Sequence, residues 1–225
     1  MGGAVRAIAI AAALTLAACG RGLPPPRILG ITPAEIVQGS VPEVRIDLDA
    51  IFPFDVRYGP PELTVNTDVR AEIGGVPVRR IMVGADGALA AFAPFALPVG
   101  THDVWVELSD GRAATLPDAF TVLPGAFPDS FAVGGASPDV PIANATQSQP
   151  FTIAIEALGG RAAEFNGAVR ISVSHGTIEP DLSGPFVAGR RDEIVSIPAL
   201  GTGVTITVED ALGHQGTSNP FDVLN

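Results

Sequence analysis

The chain has 225 residues, 47% of them hydrophobic and 16% charged, and a formal net charge of −11. Its 26 Gly and 21 Pro are spread along the chain and exclude a coiled coil or helical bundle, while the hydrophobic fraction excludes a disordered chain. The basic residues are all arginine, and 13 positives against 24 negatives leave no patch able to neutralise a phosphate backbone, so nucleic acid is excluded as a partner.

The first element is an N-terminal segment with one positive charge, Arg6, followed by an apolar run over residues 7–18. That run suits the hydrophobic region of a secretory signal and falls short of the roughly 20 residues needed to span a bilayer. It ends in Leu16-Ala17-Ala18-Cys19-Gly20, and Cys19 is the only cysteine. This stretch resembles the lipobox of bacterial lipoproteins, which implies a signal peptide over residues 1–18, cleavage before Cys19, and a diacylglycerol on its thiol. An ordinary secretory signal with a cysteine lying by chance near the cleavage site is the plainer alternative. The lipoprotein resemblance implies a membrane partner through the lipid anchor and a cell-envelope location. Gly20, where an Asp would retain such proteins in the inner membrane of enterobacteria, favours the outer membrane, on its periplasmic or surface face. A single cysteine also forbids an intramolecular disulfide, so packing alone must supply stability.

Residues 19–26 continue as a spacer ending in three prolines, Pro24, Pro25 and Pro26, which favour an extended, semi-rigid conformation. Beyond it, short apolar alternation dominates: Val44-Arg-Ile-Asp-Leu-Asp49, Val104-Trp-Val-Glu-Leu-Ser109, Phe151-Thr-Ile-Ala-Ile-Glu156, Val169-Arg-Ile-Ser-Val-Ser174 and Val204-Thr-Ile-Thr-Val-Glu209. A period of two with β-branched residues predicts strands buried on one face. Gly74-Gly75, Asp86-Gly87, Asp110-Gly111 and Gly159-Gly160 supply turns between strands. The fold class is therefore all-β, with sandwich-like spacing. An internal echo divides it: the same interval separates Gly100 from Gly201 and Phe120 from Phe221. The expected domains are residues 27–125 and 126–225.

The first of these resembles an IPT/TIG domain, an immunoglobulin-like fold. The resemblance rests on Ile31-Thr-Pro33, on Gly39 before the strand from Val44, and on Ala71-Glu-Ile-Gly-Gly-Val-Pro-Val78. Its closing hairpin matches Leu97-Pro-Val-Gly-Thr-His-Asp-Val-Trp-Val106 with Ala119-Phe-Thr-Val122. The chain departs from the family in lacking a Gly-Gly pair before the first long strand and in carrying extra sequence over residues 53–68. The second unit resembles a bacterial immunoglobulin-like domain, with strands expected around Phe131 and Val133, over 150–157, 165–173, 194–197 and 204–210, and near Phe221. Together these resemblances imply two tandem immunoglobulin-like β-sandwiches.

Residues that could carry chemistry are few. His102, His175 and His214 form no His-x-His or His-x-x-x-His pair able to hold a metal from one element, and Thr101-His102-Asp103 has no activated serine beside it. Asp47 and Asp49 share the polar face of one strand, with Asp55 just beyond, and such a group of oxygens could attract calcium. The plainer reading is a solvated strand face that resists edge aggregation. No cofactor or metal is expected. In the alternation from Val104, Val106 and Leu108 share the core face, which turns Trp105 outward beside Glu107. An exposed Trp105, with Tyr58 nearby in the extra segment, is the candidate ligand contact, able to stack on a sugar ring or anchor a protein. Alternatively the extra segment, with Phe54 and Tyr58, covers Trp105. The function expected is a non-catalytic envelope lipoprotein, a binding, adhesion or spacer module whose partner is an envelope protein or a glycan. An accessory glycan-binding component of an extracellular hydrolase system is the alternative.

Overall fold

The computed structural model describes residues 23–57 and 62–225, and the side chains of 54–57 and 62–64 are not described. Cys19 and Tyr58 lie outside the described residues.

Among the described residues, eleven strands form the first half: β1 (Arg27–Thr32), β2 (Glu35–Val37), β3 (Glu43–Asp49), β4 (Phe54–Arg57), β5 (Glu62–Val65), β6 (Val69–Ile73), β7 (Val76–Pro77), β8 (Arg79–Val83), β9 (Leu89–Phe92), β10 (Gly100–Leu108) and β11 (Ala113–Leu123). One sheet runs β1-β3-β9-β8 and the other β2-β11-β10-β6-β7. The inward residues of each strand alternate with outward ones, as Val44 and Ile46 do on β3 and Val104, Val106 and Leu108 do on β10. These inner faces meet in one core that includes Ile46, Ile73, Leu89, Leu97 and Phe120. Fully burying a side chain of this size is worth about 1.5–3 kcal/mol.

The short strand β2 pairs with β11 in parallel, whereas the other pairs in this half are antiparallel. This split first strand, with four strands on one sheet and the remainder opposite, is the immunoglobulin-like order. The Gly74-Gly75 turn between β6 and β7 needs glycine because both residues have positive φ, +60° and +76°, as a two-residue hairpin of matching twist demands. Within the extra sequence at 53–68, β4 and β5 pair antiparallel as a separate two-stranded sheet, between β3 and β6 in the chain.

The second half comprises β12 (Ser130–Gly134), β13 (Ala145–Thr146), β14 (Phe151–Leu158), a single 3₁₀ turn (Ala162–Glu164), β15 (Arg170–Val173), β16 (Arg190–Val195), β17 (Gly201–Val204), β18 (Ile206–Glu209), β19 (Gln215–Thr217) and β20 (Phe221–Leu224). Sheet β12-β14-β16 faces the pair of small sheets β13-β20-β17 and β15-β18-β19. Its core is built on aromatic contacts: Phe165 meets Phe186 with ring centroids 4.9 Å apart and Phe131 at 5.5 Å, both edge-on. The parallel β13-β20 pairing repeats the split first strand of the other half. The chain is thus all-β, two immunoglobulin-like sandwiches in tandem.

Three strand readings shift. The strand expected over 194–197 begins at Arg190, because its polar first four residues give no apolar alternation although they pair with β14 along an edge. The long strand expected from 165 is regular only over Arg170–Val173. The alternation over 204–209 persists in burial, but the strand changes hydrogen-bonded partner at Thr205, from β20 to β15 and β19. Pro220 enforces a matching break between β19 and β20, since it has no N–H to give the ladder.

The sandwiches meet around Phe127. Its ring lies 6.0 Å from Phe165 and 6.4 Å from His214, and a Cβ on Gly39 would stand 3.3 Å from it. The Gly39 carbonyl accepts the Ala168 N–H at 2.9 Å, and the Arg170 guanidinium lies over the Phe95 ring at 5.8 Å. Arg79 Nη2 donates to both oxygens of Asp181, at 2.7 and 2.8 Å.

Candidate functional site

Trp105 sits where its strand pattern puts it, on the outward face of β10 with Val104 and Val106 fully buried behind it. Its cross-strand neighbours are Glu72 on β6 and Thr115 on β11, and the Arg70–Glu107 ion pair, 3.8 Å long, lies on the same face. Trp105 is half-buried. The β4-β5 pair immediately precedes β6, the strand that pairs with β10 in this sheet. Tyr58, which follows β4 in the sequence, and Cys19 both lie outside the described residues.

Of the carboxylates considered for calcium, Asp47 takes another partner, and the Asp55 side chain lies outside those described. Arg45 Nε donates to Asp47 Oδ1 at 2.7 Å, and Arg45 Nη2 reaches Asp86 Oδ2, also at 2.7 Å. That guanidinium, joined by the Ala88 N–H, holds the Asp86 carboxyl below its ordinary value, and the two carboxylates raise the Arg45 value in turn. Asp49 is exposed and takes no part in this cluster. Among the described residues no group of three His, Cys, Asp or Glu side chains could hold a metal ion.

Each histidine has a local structural contact. His102 Nε2 lies 2.8 Å from the Pro98 carbonyl, and His175 Nδ1 is 3.1 Å from Ser174 Oγ. His214 Nδ1 is 2.8 Å from Asp210 Oδ2, and Asp210 Oδ1 accepts the Leu212 and His214 N–H groups. The buried Asp210 carboxylate therefore shapes the turn between β18 and β19.

Sequence reasoning missed a cleft between the two sandwiches. It is a cavity of about 510 Å³ whose lining is mainly apolar. Glu43, Phe92 and Arg79 stand side by side across β3, β9 and β8, forming one wall, and Leu182 and Pro185 belong to the facing loop of the second sandwich. Arg80 also lines it, with a φ of +53° at the register shift of β8 against β9. Its sequence signal was the adjacent pair Arg79-Arg80 in an acidic chain; only the packing of the second sandwich turns that pair into the edge of a cavity.

No family model and no curated protein matches the chain. Among solved structures it is similar to the adhesin InvE of Yersinia pseudotuberculosis, at 17% identity and a TM-score of 0.33, covering 86% of this chain and 57% of that one. It is also similar to the D00-D0 domain of intimin, at 14% identity and a TM-score of 0.30, covering 85% of this chain and 98% of that one. A third is the SGBP-B protein of the Bacteroides ovatus mixed-linkage glucan utilization locus, in complex with a mixed-linkage heptasaccharide: 15% identity, a TM-score of 0.27, and coverage of 90% of this chain and 48% of that one. The chain spans little more than half of InvE and about half of SGBP-B. The class that the chain's own strand order and cores define is a tandem immunoglobulin-like β-sandwich protein.

Proposed function

We propose that this chain is a bacterial cell-envelope lipoprotein, anchored through Cys19, whose two immunoglobulin-like sandwiches serve as a non-catalytic binding or spacer module. Its first sandwich is read as IPT/TIG-like, from the motif order between Ile31 and Val122. Rigid strands fix the geometry, and recognition falls to loops, exposed faces and the junction between sandwiches. The observation that carries this reading is the tie between spacer and body. Arg112 Nη1 donates to the Pro24 carbonyl, at 2.5 Å, and Nη2 to the Ile51 carbonyl, at 2.6 Å. The spacer is thus secured five residues after Cys19, a reach of at most about 18 Å. A lipid on Cys19 would hold that end of the first sandwich close to the bilayer and leave the second sandwich farther out. Two acyl chains make such an anchor stable, where one gives only marginal binding.

The test is intact-mass analysis of protein recovered from the membrane fraction. A diacylglyceryl adduct on Cys19, with release of Cys19→Ala into the soluble fraction, is the expected result. An unmodified thiol on a freely secreted product overturns the anchor. Affinity purification of the lipidated form from detergent-solubilised envelope then identifies the partner.

A glycan-binding accessory role is a second reading, favoured by one observation: the half-buried Trp105 on the outward face of the central strand of its sheet. Glycan-array binding that disappears in Trp105→Ala supports it, and no binding to any glycan removes it.

A further inference from the structure

We propose that the cleft between the sandwiches is a binding site for a small molecule with an apolar body and one carboxylate, and that Arg80 is the residue that selects the charge. This inference is independent of the lipid anchor and of Trp105. Cavities of this volume at domain junctions, mainly apolar with a few polar groups, are the common form of a small-molecule site. Here Pro42 and Phe92 of the first sandwich face Leu182 and Pro185 of the second, giving the apolar body a surface on both sides.

The charge follows from the two adjacent arginines. Arg79 is committed, its Nη2 bonded to both oxygens of Asp181 across the junction. Arg80 makes no ion pair among the described residues, although the chain carries 24 acidic groups. Its φ is +53°, within the register shift of β8 against β9, a conformation uncommon for a residue other than glycine. Such irregularities re-aim a side chain, and this one sets the exposed Arg80 on the rim that the cleft shares with the adjoining groove at Glu179 and Ser196, a positive charge with no ion-pair partner among the described residues. Glu43, on β3, stands across Phe92 from the Arg79 position, about 10 Å away by strand spacing. It therefore repels an anion from the far lip and orients the carboxylate toward Arg80. A net charge of −11 opposes non-specific uptake of any anion, so anion binding here requires a local cation.

The experiment titrates the full chain carrying Cys19→Ala, free of detergent, with octanoate, octanol and octylamine, following backbone amides by NMR. Octanoate is expected to bind tightest of the three and to shift Phe92, Asn166 and Leu182. Arg80→Gln is expected to weaken octanoate about tenfold and leave octanol unchanged, the loss of one charge-assisted contact. Arg80→Lys keeps the charge and stays within about threefold. Asp181→Asn releases Arg79 and tightens octanoate. Equal affinity for octanoate and octanol, shifts confined to another face, or no binding of octanoate overturns the proposal. If Arg80→Gln fails to fold, the three-ligand comparison on the parent chain and the Asp181→Asn variant still decide it.

Discussion

Arg112 reaches back across the first sandwich to the Pro24 carbonyl, from a turn to a spacer that are far apart in sequence. The same guanidinium donates from Nε to Asp110 Oδ2 at 2.7 Å, and the Arg112 side chain is only 16% exposed. Partial desolvation opposes ionisation of Asp110, but Arg112 and the Arg112 N–H outweigh it and hold that carboxyl below its ordinary value. One side chain thus closes the β10-β11 turn and secures the start of β1.

Arg112→Ala should release the spacer. We expect a loss of about 1–2 kcal/mol, since two carbonyls lose a charged donor but can turn to water. Limited proteolysis should cut before Arg27 faster in the variant, while cleavage within the sandwiches stays slow. Unchanged cleavage there would mean that the contact does not hold the spacer.

Phe165→Ala removes the centre of the aromatic cluster that joins Phe127, Phe131 and Phe186. The side chain is 1% exposed, so truncation should cost about 3–5 kcal/mol in the second sandwich. Scanning calorimetry should resolve a second-domain transition at lower temperature, with the first domain's transition moved far less.

Gly216→Ala tests a close approach on the same sandwich. A Cβ at Gly216 would run into the Phe131 carbonyl of β12, which is backbone and cannot swing aside. We expect clear destabilisation, read as a lower urea midpoint, whereas Gly75→Ala meets open space and is disfavoured only by its positive φ.

The Arg45–Asp86 pair sets a pH dependence. Because the folded-state value of Asp86 is lowered, its stabilisation is complete above the ordinary aspartate range and fades as pH falls through the lowered value. NMR titration of the Asp86 carboxyl carbon should give a midpoint below that of an unperturbed aspartate. Arg45→Ala should raise it, and added salt should shrink the difference, as for any exposed pair.

The half-buried Trp105 is the only tryptophan, so its emission reports this face alone. Iodide should quench it partially, between the free indole and a core residue. A saturating ligand on this face should reduce that quenching, and one in the cleft should leave it unaltered.

The sequence by itself determined the all-β class, because one-sided burial of a strand imposes a period of two that Val44, Ile46, Val104, Val106, Ile206 and Val208 display openly. It also placed Trp105 outward, since neighbours on a strand take opposite faces. Strands with no apolar face were less legible: β16 is held by pairing with β14, and its run of Arg190, Arg191, Asp192 and Glu193 carries no signal of that pairing. The tertiary structure alone decided the rest. Arg45 joins Asp47 to Asp86, a residue 39 positions on; Arg79 meets Asp181 across the junction; and Arg80 becomes the edge of a cavity. These contacts join residues distant in the chain, and no local pattern encodes them, because what brings them together is the docking of one finished sandwich against another.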